Sequence, residues 1–512
     1  MADVPIKALE FFCGIGGLHY SFEFSRVDGE VLAAFDISPQ TNECYEYNFG
    51  VQPIQVGIDH LTVESIEKYG ANAWFLSPPC QPYVRGGKHR DDQDPRARGL
   101  IHLVKLLPKM RNPPRFIFLE NVFLFEQSKS RALLVEALDS LGYGIAEFMV
   151  SSIQFGVPND RQRYYLTARL PVDEPSQPRP VDAIPYLDKF RIYTSWPPPP
   201  SPADIPETHF RTKVELGLNS SCKPTGLTSE GENSSSTGDS KSEDVDEQSF
   251  STLKLSGFDL THMKPVSTFL ERFENPDDES PFLVPDNYLL KRHGFRFDIA
   301  CPEDRKCSAF TKAYGTSYVV GTGAYLQTDK FDNEIDWQHP ETLLPLRLRF
   351  FTPTEVARLH QFPIDSSVPT YPGDEDAYVP WTQERWLLAR AQKEAAFEAH
   401  LSGKSEITQH RKRQKRTMMQ TKGGKGAKEG ANTIAPGSSG KDGPTAAVEI
   451  KPIAPPERSN GKISLHRFDF PPTMTLKHRW RALGNSLSVI TVGTLMREVL
   501  FNVSETRFFE NK

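Results

Sequence analysis

KALEFFCGIGG, from Lys7 to Gly17, is the stretch on which the fold turns. Lys7–Cys13 is an apolar run of strand length that breaks at once into Gly14-Ile15-Gly16-Gly17, and a helical pattern begins at Leu18. A strand that turns through glycines into a helix opens a βαβ unit. The pattern repeats downstream. Val31–Asp36 reads as a second strand, and Ser38-Pro39 supplies an N-cap with proline at the first helical position. Ala73–Ser77, Arg115–Asn121 and Arg163–Arg169 are further strands, and Gly99–Leu107 and Lys129–Leu141 read as helices. The alternation predicts an α/β fold built on a parallel sheet with helices over both faces.

Beyond Arg169 the pattern stops. Pro171–Ala203 is rich in proline, which removes ladder donors, and Asn219–Gln248 is rich in serine and acids and reads as disordered. Order returns near Ser251 and runs to about Pro363; within it Thr352-Pro353-Thr354-Glu355 is a capping box ahead of a helix. A segment with helix potential (TQERWLLARAQKEAAFEAHL) then gives way to a Lys/Gly/Ser-rich tail, and Phe468–Leu500 closes on an amphipathic pattern carried by Leu487, Ile490, Leu495 and Val499.

Composition agrees with a chain that is only partly packed core: 38% hydrophobic, with 42 prolines among 512 residues. The formal charge of −6 hides opposed segments. Ser229–Gln248 holds seven acids against one lysine, and Ser402–Ile450 holds ten basic residues against four acids. That balance does not suit a protein that coats DNA, so nucleic-acid binding needs a local basic cleft. Six cysteines without a CxxC pair argue against a disulfide scaffold and a zinc ribbon, and no metal is expected. No apolar run reaches the length of a membrane span, and the N-terminus lacks the pattern of a signal peptide. A cytoplasmic or nuclear location is the expectation.

Four short stretches carry chemistry. The turn Gly14–Gly17 can present backbone amides to an anionic group, and Asp36, ending the second strand, can accept hydrogen bonds from ribose hydroxyls. A plain tight turn explains the same glycines, and the spacing departs from G-x-G-x-x-G. In Ser77-Pro78-Pro79-Cys80-Gln81-Pro82-Tyr83, two prolines stiffen a loop at the carboxyl edge of the sheet, where such folds place ligands. Cys80 sits there among polar neighbours, whereas Cys13, Cys44, Cys222, Cys301 and Cys307 read as small buried hydrophobes. Glu120 closes the strand FLENV in an equivalent edge position, either as a solvated strand end or as a carboxyl group that shares a proton with a ring. Arg161 and Arg163, two apart, share one strand face and can fix a phosphate or a ring carbonyl, though ordinary surface charge explains them too.

Together the segments are far more specific. FFCGIGG, SPPCQPY, FLENV, FGVPNDRQR, RFFTPTEVARLHQFP and LGNSLSV, in that order, resemble the cytosine-5 methyltransferases. Within them, PPCQPY with Tyr83, the loop KHRDDQDPRARG and FTKAYGTSYVVGTGAYLQ (Phe310–Gln327) are most similar to the tRNA-aspartate cytosine-5 methyltransferases. That family reads Cys-Phe-Thr where this chain has Ala309-Phe310-Thr311, with Cys307 two positions earlier.

The resemblance implies a Rossmann-like class I methyltransferase sheet and S-adenosyl-L-methionine as cofactor. The substrate it implies is an anticodon-loop cytosine of tRNA, with DNA as the alternative; a nicotinamide oxidoreductase would leave PPCQ and ENV idle, and a non-catalytic relative would leave Cys80 and Glu120 without a role. It implies Cys80 as nucleophile on carbon 6, Glu120 on ring nitrogen 3, and Arg161 or Arg163 orienting the base. For the cofactor it implies Gly14, Ile15, Gly16 and Gly17 around the methionine part, with Phe12 nearby. Asp36 would take the ribose, Ile58 and Asp59 would flank the adenine after a third strand, Ser77 and Pro78 would lie beneath it, and Asn485 and Ser486 would complete the site. The implied organisation is a catalytic domain over 1–175, a largely disordered linker over 176–250, a target-recognition region over 251–365, a partly basic insert over 366–466 and a segment over 467–512 that returns to the catalytic domain. The family joins LHQFP almost directly to FDFPPTMTLKHRWRALGNS.

Overall fold

The computed structural model describes residues 5–83, 90–171, 192–197, 263–316, 321–330, 335–365, 387–388, 390–399, 402, 458–459, 462–463 and 466–501. Most of the linker, including Asn219–Gln248 with Cys222, and almost all of the basic tail, including His410–Arg416, lie outside the described residues.

Among the described residues of the first two hundred there are eight strands: β1 (Ile6–Phe11), β2 (Gly29–Phe35), β3 (Ala73–Leu76), β4 (Phe116–Val122), β5 (Gly144–Ser151), β6 (Asn159–Asp160), β7 (Gln162–Arg169) and β8 (Ile192–Tyr193). Seven of them form one sheet in the order β2-β1-β3-β4-β7-β5-β8. Helices α1 (Gly17–Ser25), α2 (Pro39–Phe49), α3 (Val63–Glu67), α4 (Arg98–Leu106) and α5 (Lys129–Ser140) connect the strands. Side chains alternate between two cores. Ala8, Phe75 and Phe118 join the core under α1, while Leu9, Trp74 and Leu119 join the one under α4 and α5. A sheet covered on both faces must bury consecutive residues, and these strands therefore read as continuous apolar runs.

The sheet is mixed rather than wholly parallel. β1, β2, β3 and β4 run parallel, but β7 lies antiparallel between β4 and β5. Only the short turn Ser152–Phe155 and β6 separate β5 from β7. A parallel connection needs a crossover of a dozen or more residues, so the chain doubles back. β5 itself escapes the sequence pattern because a charge, Glu147, sits in its middle. That carboxylate is buried and accepts from Arg131 Nε at 2.8 Å and Nη2 at 2.5 Å, and from the Tyr164 hydroxyl.

The capping signals behave as read. Ser38 Oγ accepts from Thr41 N at the start of α2, and Thr352 and Glu355 form a reciprocal box on the helix Pro353–Leu359. The region 263–365 adds short strands (Ile299–Ala300, Tyr325–Leu326, Arg349–Phe350) whose apolar residues continue the core under α1. The chain leaves this region and returns to it at one point. Phe468 N donates to Pro363 O at 2.8 Å, and the rings of Phe362 and Phe468 lie 4.6 Å apart. The hundred-residue insert thus begins and ends at adjacent positions, where loop length costs little. Part of it packs on the core: within the helix at 390–399, Phe397 is buried 5.0 Å from the Tyr47 ring, and Lys393 Nζ donates to Asn48 Oδ1 at 2.9 Å.

The C-terminal pattern resolves into two helices, Leu476–Gly484 and Val489–Leu495. The second packs on α1 closely enough that a Cβ on Gly493 would come within 2.8 Å of Ser21 O. The first meets Phe310–Lys312 backbone to backbone: a Cβ on Gly484 would lie 2.1 Å from the Thr311 carbonyl carbon.

Candidate active site

A cavity of about 600 Å³ opens along the carboxyl edge of β1, β2, β3 and β4. That volume suits a nucleoside-sized ligand. Each wall follows from local chain chemistry.

The floor is the turn after β1. Phe12, Gly14 and Gly16 have φ of 59°, 53° and 86°, and Gly16 N closes the turn on Cys13 O at 2.8 Å. The turn is tied to the end of β2, since Gly14 N donates to Asp36 Oδ2 at 3.0 Å and Ser38 N to Asp36 Oδ1 at 2.8 Å. Burial raises the Asp36 carboxyl above its ordinary range, and the two amides oppose that rise. Ser77 Oγ donates to Phe12 O at 2.9 Å, which fixes the loop after β3 beside the floor.

Cys80 follows on that loop, half-buried. Asn121 Nδ2 reaches Pro78 O at 3.3 Å, linking the loop to β4, where Glu120 is 8% exposed. Arg163 Nε stands 3.7 Å from Glu120 Oε1. Burial pushes the Cys80 thiol up; Arg163 chiefly opposes it and Glu120 adds to it. Burial likewise raises Glu120, again opposed first by Arg163.

Phe12, Gly14, Ile15, Gly17, Asp36, Ile58, Asp59, Ser77, Pro78, Cys80, Glu120, Arg161, Arg163, Asn485 and Ser486 all line this one cavity. Gly16 does not; a Cβ there would strike Phe49 at 2.4 Å, so its task is to let the turn back onto α2. Ile58 and Asp59 do not follow a third strand. They form a single 3-10 turn ahead of β3, after one bridge between Phe35 and Ile54, because the Pro53-containing segment is too short to extend the sheet. Arg161 lines the cavity, but its terminal nitrogens are spent on main-chain carbonyls.

Several lining residues were not foreseen. Ile37, 67% exposed, presents bare apolar surface to the cavity directly after Asp36. Arg98 and Arg481 put positive charge on its rim, beside His478 and beside Arg96, whose guanidinium is paired with Asp94. Their signal was present in the loop downstream of Cys80 and in LKHRWR, but scattered charge carries no weight until the fold gathers it. Cys13 also lines the cavity. Cys13, Cys44 and Cys307 are buried as read, while Cys301 is only partly so. Cys307 does not line the cavity; its thiol faces Pro158 O at 3.0 Å.

The residues present fit a methyl donor of the adenosyl type. An acid held by two amides suits a ribose diol, and an exposed isoleucine beside it suits a purine face. No group of three or more potential metal ligands occurs among the described residues, nor any helix long and apolar enough to cross a membrane.

This α/β fold, with a cysteine and a glutamate flanking a donor-type cavity, defines a cytosine-5 methyltransferase. Residues 6–378 match the family model of the C-5 cytosine-specific DNA methylases, and the chain belongs to that family. It is 31% identical over 377 residues to a human tRNA (cytosine(38)-C(5))-methyltransferase, spanning 71% of this chain and 92% of that one. It is also 31% identical over 381 residues to a DNA (cytosine-5)-methyltransferase of Dictyostelium discoideum, spanning 70% and 85%. Among solved structures it shares its fold with a methyltransferase of Entamoeba histolytica (TM-score 0.55, 23% identity, 98% and 99% covered) and with the S. pombe Dnmt2 methyltransferase (TM-score 0.53, 22% identity, 98% and 99% covered).

Proposed function

We propose that the protein methylates carbon 5 of an anticodon-loop cytosine in tRNA, with tRNA-Asp the foremost candidate. The reading rests on one observation: Cys80 and Glu120 line the same cavity as Asp36 and the glycine turn. Cytosine carbon 5 is a poor nucleophile. The Cys80 thiolate adds to carbon 6 while Glu120 gives a proton or hydrogen bond to nitrogen 3, which makes carbon 5 enamine-like. Phe12, the glycine turn, Asp36 and Ser486 would hold S-adenosyl-L-methionine, which would supply an electrophilic methyl group to carbon 5, its sulfonium leaving as the neutral thioether. Loss of the carbon 5 proton then expels Cys80 and restores the ring. Arg163, beside Glu120, holds that carboxyl and faces the base. The basic rim fits phosphates on either side of a flipped nucleotide, and unstacking costs least in a loop. In this proposal 1–175 with 467–512 forms the catalytic domain and 251–365 recognises the target. The proposal includes a cytoplasmic or nuclear location.

DNA is the second reading, supported by the Dictyostelium relative's name. Incubation with methyl-labelled S-adenosylmethionine and separate tRNA and DNA pools decides. Label in tRNA, mapped to one loop cytosine, is expected; label in DNA alone overturns the substrate.

A further inference from the structure

Arg161 lies between β6 and β7, two residues from Arg163, yet its surroundings are different. It is 2% exposed, and Nη1 donates to Phe310 O at 2.8 Å. Nη2 donates to Gly484 O at 3.3 Å and to Ser486 O. Its Nε–H has no partner, and no carboxylate pairs with it within ion-pair distance among the described residues. Glu120 acts on it only through space, and burial beside Arg163 lowers it to about 9.

The carbonyls belong to two segments far apart in sequence. Phe310 precedes Thr311 and Lys312, and Lys312 is close enough to help lower the Cys80 thiol. Ser486 abuts the floor of the donor side, where a Cβ on Gly17 would lie 2.8 Å from Ser486 Oγ. The same segments touch at Gly484 and Thr311. One guanidinium therefore spans the wall beside the nucleophile and the wall of the donor cavity.

We propose that Arg161 is a positioning residue that couples the two halves of the cavity, so that filling the donor side organises the target side and the reverse. A buried guanidinium held by carbonyl dipoles loses satisfied partners if either segment shifts alone. The two segments therefore move together, and a ligand that orders one orders the other. Linkage makes the effect reciprocal. Lysine, one atom shorter and with all its donors on one nitrogen, cannot reproduce the forked contacts to all three carbonyls. The inference rests on the reading that donor and target share this cavity.

The test is equilibrium binding of S-adenosylhomocysteine to the full chain with and without a tRNA pool. Wild type is expected to bind it at least about fivefold tighter with tRNA present. In Arg161→Lys the ratio is expected to fall towards one, with affinity for S-adenosylhomocysteine alone changed by less than about threefold, and with kcat falling more than KM for the donor. A second measurement needs no variant: amide exchange at Thr311–Tyr314 is expected to slow when S-adenosylhomocysteine alone is added. Unchanged coupling in folded Arg161→Lys, or no protection of Thr311–Tyr314 in wild type that binds S-adenosylhomocysteine, overturns the inference. Failure of wild type to bind S-adenosylhomocysteine at all overturns the donor-site reading instead.

Discussion

Arg163 Nε lies 3.7 Å from Glu120 Oε1, and this pair is the strongest charge influence on Cys80. The arginine favours the thiolate, while the carboxylate disfavours it. In the proposed mechanism protonated Glu120 with ionised Cys80 is therefore the productive combination, and burial helps by raising the glutamate.

The pH dependence follows. The productive form needs a proton on Glu120 and none on Cys80. Since the thiol titrates above the carboxyl, kcat/KM rises with pH up to the Glu120 pKa, is level between the two, and falls above the Cys80 pKa. In Glu120→Gln the ring donor no longer ionises, so the alkaline fall disappears and activity climbs until Cys80 is fully ionised. Its level drops about 10²–10³-fold at neutral pH. Steady-state rates across pH 5–10 check both statements, and an alkaline fall of the same shape in the variant contradicts the assignment.

Cys80→Ala is expected to abolish methyl transfer while leaving S-adenosylhomocysteine affinity within about threefold, because no step after addition to carbon 6 can occur without the sulfur. A trapped adduct with a 5-fluorocytosine-containing substrate should form with wild type and not with the variant. Measurable turnover by Cys80→Ala would refute the covalent route.

Asp36→Asn should weaken S-adenosylhomocysteine binding by about 10–150-fold, the range for a hydrogen bond to a charged group. It should also lower thermal stability, because the carboxylate holds Gly14 N and Ser38 N. Ile37→Ser separates the two effects: the side chain is exposed, so stability should hold while affinity falls several-fold. Calorimetric titration and thermal melts on both variants read the difference.

How much of this could be read from the sequence varies with the kind of signal. β1, its glycine turn and the Ser38 and Thr352 caps are local, so their residues announce them. The cavity was legible because Asp36 directly follows β2, Cys80 sits on the loop after β3 and Glu120 lies two residues before the end of β4, and one sheet edge collects these positions. β5 was not legible, because a buried Glu147 breaks its apolar run and its partner Arg131 lies on another element. The reversal of β7 depends on a connection length. The engagement of Arg161 could not be read at all: main-chain carbonyls at Phe310, Gly484 and Ser486 carry no side-chain signature, and they lie 149 to 325 residues away.

Glu10 gives the remaining prediction. It lies in β1, fully buried, with Oε1 lacking a partner and Oε2 accepting from the Tyr45 hydroxyl at 3.0 Å. Tyr45 in turn meets His19 Nδ1 at 2.8 Å, and Glu23 links His19 to His466. Burial raises Glu10 to about 8, against the pull of Tyr45 and the His19 amide and with a small push from Asp36. A carboxyl whose folded pKa is raised binds its proton more tightly in the native state. Its contribution to stability is full below the ordinary carboxyl range and is lost as pH rises through about 8. Wild type should therefore lose a few kcal/mol, to order of magnitude, between about pH 5 and 8.5 relative to Glu10→Gln, which keeps the shape and carries no charge. Urea denaturation of both proteins across that range measures the difference. Parallel stability curves would mean that Glu10 stays ionised in the native fold, and that the buried row from Tyr45 to His466 pays its solvation in some other way.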